Sequence, residues 1–344
     1  MEDQIEVSDK EAASTEEAAN AFSQWHGKPY YSLDAWCKNT YGRKLYKAAL
    51  ESGCSCPNRD GTLGYGGCIF CSAGGSGDFA APFGDSVRTQ LDQAKQLLGR
   101  KWLNALTSDG ASESDAPVLI AYFQSYTNTY GDPARLHALF SQALDQPDVA
   151  GISIGTRPDC LPEEILTMLD ALKASHPDKF VWIELGLQTI HDRTAKLIHR
   201  GYPTAVFEQA MKKLKHHQIP VIVHTILGLP GETREDVLAT IQALNHQKPF
   251  GIKLQLLHFL KGTALGDLYE KGEVAALTKE EYLELVTDCI AALDPSICIH
   301  RITGDGPKEL LLAPRFSLNK RDVLNSIHAL LKKKGIHQGK GVSI

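Results

Sequence analysis

Residues Cys54–Cys71 read CSCPNRDGTLGYGGCIFC and hold four of the chain's eight cysteines. Cys68 and Cys71 form a C-x2-C pair, which sets two thiolates on one tight turn. Cys56 reaches the same point through an eleven-residue loop rich in glycine. Three thiolates can hold three corners of a [4Fe–4S] cube and leave the fourth iron open. The spacing has a second reading. Cys54 and Cys56 with Cys68 and Cys71 also make C-x-C plus C-x2-C, a four-thiolate set suited to structural zinc. A third is free buried thiols. The cysteines alone do not choose among these.

Beyond the loop, a regular alternation begins. Short apolar runs of strand type lie at Val118–Phe123, Gly151–Ile154, Val181–Leu187, Pro220–Ile226 and Gly251–Leu257, with a further one at Ile297–Ile302. Segments of helical periodicity separate them: Pro133–Leu144, Pro162–Ala174, His191–His199 with Thr204–His217, Arg234–Asn245, Lys279–Leu293, then Arg321–Lys334. Arg43–Leu50 reads as a first strand with an ambiguous Ala-rich end, and Ser86–Leu106 as the helix after the cysteine loop. Strands of this kind, alternating with amphipathic helices, indicate βα units around a parallel sheet buried on both faces. About six units fit an α/β fold of the partial (β/α)6 barrel type better than a closed eightfold barrel. The expected division is an acidic tail at 1–20, an aromatic and basic extension with the first strand at 21–50, the barrel at 51–300 and a basic extension at 301–344.

Composition agrees with a globular protein: 43% hydrophobic and 22% charged residues over 344 positions can build a sizeable core. No apolar run is long enough to span a bilayer, so no membrane partner is expected. The start of the chain lacks a basic-then-apolar leader, which makes a cytoplasmic location the expectation. Cysteines without an export signal do not suggest disulfides, and the scattered Cys37, Cys160, Cys289 and Cys298 read as small buried hydrophobes. Charge is uneven. Residues 1–20 hold seven acidic side chains against one lysine, whereas nine Lys/Arg face three Asp/Glu from Arg301 onward. The head reads as disordered. The basic end suits a polyanion or simply a solvated helix face.

Six segments together resemble one family: CPNRDGT (56–62), GCIFCSAGGSGDF (67–79), AYFQSYTNTY (121–130), GISIGTRPD (151–159), ELGLQT (184–189) and LGLPGE (227–232). The chain is similar to the YhcC/YtqA-type radical S-adenosylmethionine (SAM) proteins, relatives of the elongator catalytic subunit, from about Tyr30 to the C-terminus. The resemblance implies a partial radical SAM barrel whose [4Fe–4S] cluster is held by Cys56, Cys68 and Cys71. SAM would sit on the open iron and yield a 5′-deoxyadenosyl radical. The eleven-residue gap departs from the commoner C-x3-C-x2-C spacing but matches this subfamily, and it leaves Cys54 outside the cluster. Phe70, just before the last ligand, suits the cluster-to-SAM contact.

The same resemblance places SAM contacts at the strand ends. Gln124, Ser125, Tyr126, Thr127 and Asn128 follow the second strand and would hold the amino group. Thr156, Arg157 and Asp159 follow the third, near the ribose and carboxylate. Gln188 would take the ribose and Arg200 the carboxylate, for which a guanidinium fork is well shaped. Gly228 lies in an adenine-binding turn, with Glu184 and His224 nearby. Blander readings stand beside these: Glu184 as a solvated strand end, Arg200 as a charge at a helix C-terminus, His224 as a satisfied core histidine. Lys253, His258 and Lys261 lie where a substrate could sit, as does the segment His300–Asp305, although a plain surface role fits each equally well.

The implied reaction is on tRNA. It converts the wobble nucleoside 5-carboxymethylaminomethyl-(2-thio)uridine to its 5-aminomethyl form, with a reductant such as flavodoxin or ferredoxin and a separate downstream methyltransferase. The alternatives are a radical SAM enzyme on a small molecule or protein, and a non-catalytic zinc-structured RNA-binding protein. Trp25, Tyr30, Tyr31, Trp36 and Tyr41 interleave with Lys28, Lys38, Arg43 and Lys44, a mixture suited to base stacking and phosphate contact. They equally suit the cover of a barrel floor.

Overall fold

A computed structural model describes residues 23–75, 77–78, 80, 84, 86–99, 102 and 117–341. The acidic head and the loop expected at Ser108–Asp115 lie outside the described residues. Seven parallel strands form one sheet, a half-barrel: β1 (Leu45–Leu50), β2 (Val118–Phe123), β3 (Val149–Thr156), β4 (Phe180–Gln188), β5 (Val221–Leu227), β6 (Gly251–Leu256) and β8 (Cys298–Arg301), hydrogen-bonded in that order. A short antiparallel pair, β7 (Phe259–Leu260) with β9 (Leu311–Ala313), stands apart. The expected units are therefore present, and the strand expected at Ile297–Ile302 is the seventh of the sheet. The Ala-rich end of β1 is true strand, pairing Ala48 with Ala121 and Leu50 with Phe123.

The α-helices are α1 (Leu33–Tyr41), α2 (Val87–Leu98), α3 (Pro133–Leu144), α4 (Glu163–Ser175), α5 (Asp192–Leu197), α6 (Thr204–His216), α7 (Arg234–Gln247), α8 (Ala264–Glu270), α9 (Lys279–Ala292) and α10 (Lys320–Lys334), with short 3-10 turns at Pro158–Cys160 and Arg315–Leu318. Their boundaries follow local chemistry. Thr233 and Thr278 close capping boxes at α7 and α9 with Asp236 and Glu281. Gly99 ends α2, its amide donating to the carbonyls of Gln96 and Lys95.

Side chains alternate across each strand, so residues two apart share a face. On the outer face the strands and surrounding helices bury one continuous core, including Leu50, Phe123, Ile154, Leu185, Val223 and Leu254. On the inner face the lowest layer is apolar: Leu45, Ile120, Trp182 and Ile222 pack with Cys37 of α1. Trp36 meets the rings of Trp182, Phe180 and Phe250 edge-on at 4.9, 5.7 and 5.6 Å. Tyr41 packs on Phe180, and Trp25 and Tyr30 are buried. Trp36 and Tyr41 thus belong to the barrel floor instead of an exposed stacking surface, while Tyr30 is buried in the main core against His328. The basic end is partly neutralised, since Lys320 pairs with Asp305, Lys279 with Asp322, and Lys334 with Glu284. Arg321, Lys332 and Lys333 remain exposed along α10.

Candidate functional site

The cysteine loop leaves β1 at the C-terminal end of the sheet, where ligands of open parallel sheets gather. Two arginines and an asparagine shape it. Arg59 reaches across the loop and donates to the carbonyls of Cys71 (3.2 Å), Ala73 (3.4 Å) and Ser72. Gly67, in left-handed conformation at φ +83°, admits that crossing, because a Cβ there would stand 2.8 Å from Arg59 Nε. Asn58 Nδ2 donates to the carbonyl of His199 at 2.6 Å and to Cys68 Sγ at 3.7 Å. The backbone of Ile69 is pinned between the carbonyl of Ile198 and the amide of Leu265. A cavity of about 590 Å3 lies on the outer flank, between the loop tip at Leu63–Tyr65 and the α5–α6 junction.

Within the loop, the Cys68 and Cys71 thiols lie within reach of each other and share one proton. That contact, with Arg157, Asn58 and Arg59 nearby, outweighs burial and lowers the Cys68 thiol to about 7. Cys71, through the same contact and by burial, is pushed up. Cys56 lies close enough for its charge to act on both Cys71 and Arg157. Cys54 belongs elsewhere. It packs in the main core, and its Sγ accepts from Arg135 Nη2 at 3.1 Å. Among the described residues no three His, Cys, Asp or Glu side chains close on a single-ion position. The loop's fit to an iron–sulfur group is one of donor chemistry: three grouped thiols with two arginines that stabilise thiolate charge.

The strand-end residues fall into two sets. Some are engaged by the scaffold. Asn128 is fully buried, its Nδ2 donating to the carbonyls of Phe123 and Gly155 while its Oδ1 accepts from Ser52. Arg157 forms a two-pronged pair with Asp159 (2.9 and 2.7 Å), donates to the Arg200 carbonyl and lies over the Tyr202 ring. Arg200 donates to the carbonyls of Tyr202 (3.0 Å), Leu187 and Thr189 (2.6 Å each) and to Thr204 Oγ1 (3.1 Å). Thr127 is buried, with its amide on the Ser55 carbonyl. Thr156 shares a 2.5 Å hydroxyl contact with Thr129. Tyr126 donates to the carbonyl of Ala73 and stacks under Arg59.

Others line the mouth. Gln124 and Gln188 are partly exposed. Ser125 donates to Glu51 at 3.0 Å, and Gly228 turns the chain out of β5 at φ +88°. Gln188 itself adopts φ +63°, which few non-glycine residues do, and Tyr202 donates to its Oε1 at 3.4 Å.

Below the mouth and above the floor lies a polar layer to which six consecutive strands each give one residue: Lys47, Tyr122, Ser153, Glu184, His224 and Lys253. Glu184 is its hub. Its Oε1 accepts from Lys47 Nζ and Ser153 Oγ at 2.7 Å each, and its Oε2 from His224 Nε2 at 2.7 Å and from Lys253 Nζ. Lys253 also donates to Tyr122 OH at 3.0 Å, and both ammoniums face that ring. Burial alone would raise Glu184, but the Lys253 and Lys47 charges and the His224 bond hold its carboxyl well below the usual range. Burial, with Lys253 alongside, lowers His224 to about 4 despite its bond to Glu184. Glu184 is thus no solvated strand end. The sequence named Glu184, His224 and Lys253 separately; Lys47, Tyr122 and Ser153 went unnoticed, although each sits mid-strand where period-2 alternation turns it inward.

This barrel and this loop have relatives. The Radical SAM superfamily profile matches residues 56–244, and the Radical SAM C-terminal domain profile matches 249–333. The protein YtqA of Bacillus subtilis is 42% identical over 313 residues, covering 91% of this chain and 92% of its own. This chain belongs to the radical SAM superfamily. The protein YhcC of Escherichia coli is 33% identical, with 86% and 90% covered. A tRNA uridine(34) acetyltransferase of Dehalococcoides mccartyi is 29% identical over 167 residues, 47% of this chain and 35% of its own length. Among solved structures, an N-terminally truncated Elp3 of the archaeon Methanocaldococcus infernus shares the fold with TM-score 0.61 and 16% identity, covering 86% of this chain and 64% of that one. The chain is therefore a radical SAM enzyme related to the elongator group, using a [4Fe–4S] cluster and SAM. The zinc-structured, non-catalytic alternative falls with the family match and with the separate environment of Cys54. Among the described residues no helix is long and apolar enough to cross a membrane.

Proposed function

We propose that this enzyme modifies the wobble uridine of tRNA, converting the 5-carboxymethylaminomethyl (2-thio) nucleoside to its 5-aminomethyl form for a separate methyltransferase. The observation that carries the reading is the match, over 167 residues and 47% of this chain, to a relative named for tRNA uridine 34. In this reading Cys56, Cys68 and Cys71 hold the cluster. When bound and reduced, cluster and SAM would supply a 5′-deoxyadenosyl radical able to abstract hydrogen from the carbon between the substrate nitrogen and carboxylate, a site that acid–base groups alone activate poorly. With SAM as the two-electron oxidant overall, the substrate would be left as an imine, and water would cleave its C–N bond to give the aminomethyl group and glyoxylate.

The chain's own residues then bind and orient. Gln124, Ser125, Thr156, Gln188 and Gly228 line the SAM site at the strand ends. Tyr126, Thr127, Asn128, Arg157, Asp159 and Arg200 position it, since their polar atoms already brace the loop and the strand exits. Asn58, Arg59 and Arg157 stabilise thiolate charge on the ligand loop. Electrons come from a small reductant such as flavodoxin or ferredoxin, and exposed Arg321, Lys332 and Lys333 suit RNA phosphates.

Two measurements test this. Nucleoside mass spectrometry of tRNA from cells lacking the gene is expected to show the carboxymethylaminomethyl nucleoside accumulating, and an unchanged wobble profile rejects the substrate. After anaerobic reconstitution, Cys56→Ala, Cys68→Ala and Cys71→Ala are expected to abolish 5′-deoxyadenosine formation while Cys54→Ala retains it. Equal loss of iron in all four variants contradicts the ligand set.

A further inference from the structure

The polar layer inside the half-barrel contains more cations than its own anions can match. Lys47 and Lys253 share the single carboxylate of Glu184. Arg301, on the adjoining strand β8, lies 3.7 Å from Asp305, but Asp305 is held more closely by Lys320 at 2.7 Å. Within the layer, Lys47, Lys253 and Arg301 therefore have Glu184 and a shared Asp305 as their acidic partners, and burial pushes Lys253 well below its ordinary value, so that Lys47 and Arg301 carry the surplus charge. His224 is neutral at physiological pH and adds no charge. Both ring nitrogens of His300, which follows β8 residue Ile299 and adjoins the layer, are buried without a hydrogen-bond partner.

The layer is also reachable. Glu184 and Lys253 are sealed, at 0% and 4% side-chain exposure, yet Lys47, His224 and Arg301 keep 22%, 19% and 31%. Of the two lysines that share Glu184, Lys47 is the one an incoming group can reach, and Lys253 backs it. Unmatched ammoniums in a low-dielectric lumen are costly, and an incoming anion offsets that cost. Glu184 serves here to hold both lysines in place, and Tyr122 to fill the gap between them.

We propose that this layer, entered at Lys47, is the receptor for a carboxylate carried by the substrate. This rests on the wobble-uridine reading insofar as it identifies that carboxylate as the end of the carboxymethylamino group. Such a receptor would anchor the group to be removed at the bottom of the lumen and leave the carbon beside nitrogen nearer the mouth. It would also release the product readily, because the aminomethyl group carries no anion.

Sarcosine, an N-substituted glycine with the same carboxymethylamino end, is the probe. With reconstituted, SAM-loaded enzyme, the carboxyl carbon resonance of 13C-sarcosine is expected to broaden, and the amide carbon of sarcosinamide, which lacks the negative charge, to stay sharp. Affinity is expected to fall about tenfold in Lys47→Gln, as for loss of one charge-assisted contact, and to persist in Lys47→Arg. Equal broadening of sarcosine and sarcosinamide by the wild-type enzyme overturns the proposal, independently of any variant. So does undiminished binding by a folded Lys47→Gln. Broadening seen only without SAM also overturns it, by giving the layer to SAM's own carboxylate. A second arm uses anticodon stem-loops carrying the carboxymethylaminomethyl or the aminomethyl nucleoside. Preference for the former, lost in Lys47→Gln, supports both readings. Sarcosine binding without discrimination between the stem-loops upholds the carboxylate site and rejects the tRNA assignment.

Discussion

Arg200 is fully buried, and its guanidinium joins the carbonyls of Leu187, Thr189 and Tyr202 with the Thr204 hydroxyl. These acceptors lie on both sides of the turn that follows Gln188, so the arginine fixes the path the chain takes out of β4. Arg200→Met leaves the acceptors buried and unpaired, which is expected to cost about 3–5 kcal/mol by analogy with broken buried polar pairs. Urea unfolding measures it, and a midpoint equal to that of the parent removes the positioning role. A sequence announces an arginine of this kind but not where its fork points. The loop cysteines were legible because their grouping is local: Cys56 to Cys71 is one short segment. The Glu184 hub was not, because its lysine partners lie 137 and 69 residues away along the chain. Only the closed order of the strands brings them together.

At the level of elements, the alternation of apolar strands and amphipathic helices located β1 to β6, β8 and most of the helices, since period and cap chemistry are short-range signals. It overlooked α1, whose aromatic and basic residues resemble an RNA-binding stretch. The deciding fact is tertiary: Trp36 faces three rings contributed by β4 and the entry to β6. A floor built this way bears on stability and not on RNA. Trp36→Ala is expected to destabilise the protein by about 3 kcal/mol, the lower end for a large aromatic because the ring is only partly buried. Its affinity for a tRNA stem-loop, read by fluorescence anisotropy, is expected to match that of the parent. A selective loss of RNA affinity with stability intact would return the aromatic stretch to the nucleic-acid surface.

Across the whole molecule, the half-barrel leaves one side for the C-terminal segment to close, and His258 is the hinge of that closure. It leaves β6 and meets Ser317 at 3.0 Å, and Gly304 gives its ring room that a Cβ would deny. Burial lowers its pKa to about 4 from the ordinary 6.5, Asp305 opposing and Arg301 assisting. The unfolded chain therefore binds a proton between pH 6.5 and 4 that the folded chain refuses, so folding stability declines as pH falls through that window. The decline is at most roughly 3 kcal/mol for this one group. His224, lowered to about 4 as well, pulls in the same direction. Urea midpoints at pH 7 and pH 5 are expected to differ less in His258→Gln than in the parent, because the variant lacks one of the refused protons, which His224, His300 and His328 also contribute. Equal differences would mean that the strand-exit imidazole is protonated without cost, and that the C-terminal segment does not seal the barrel's open side in solution.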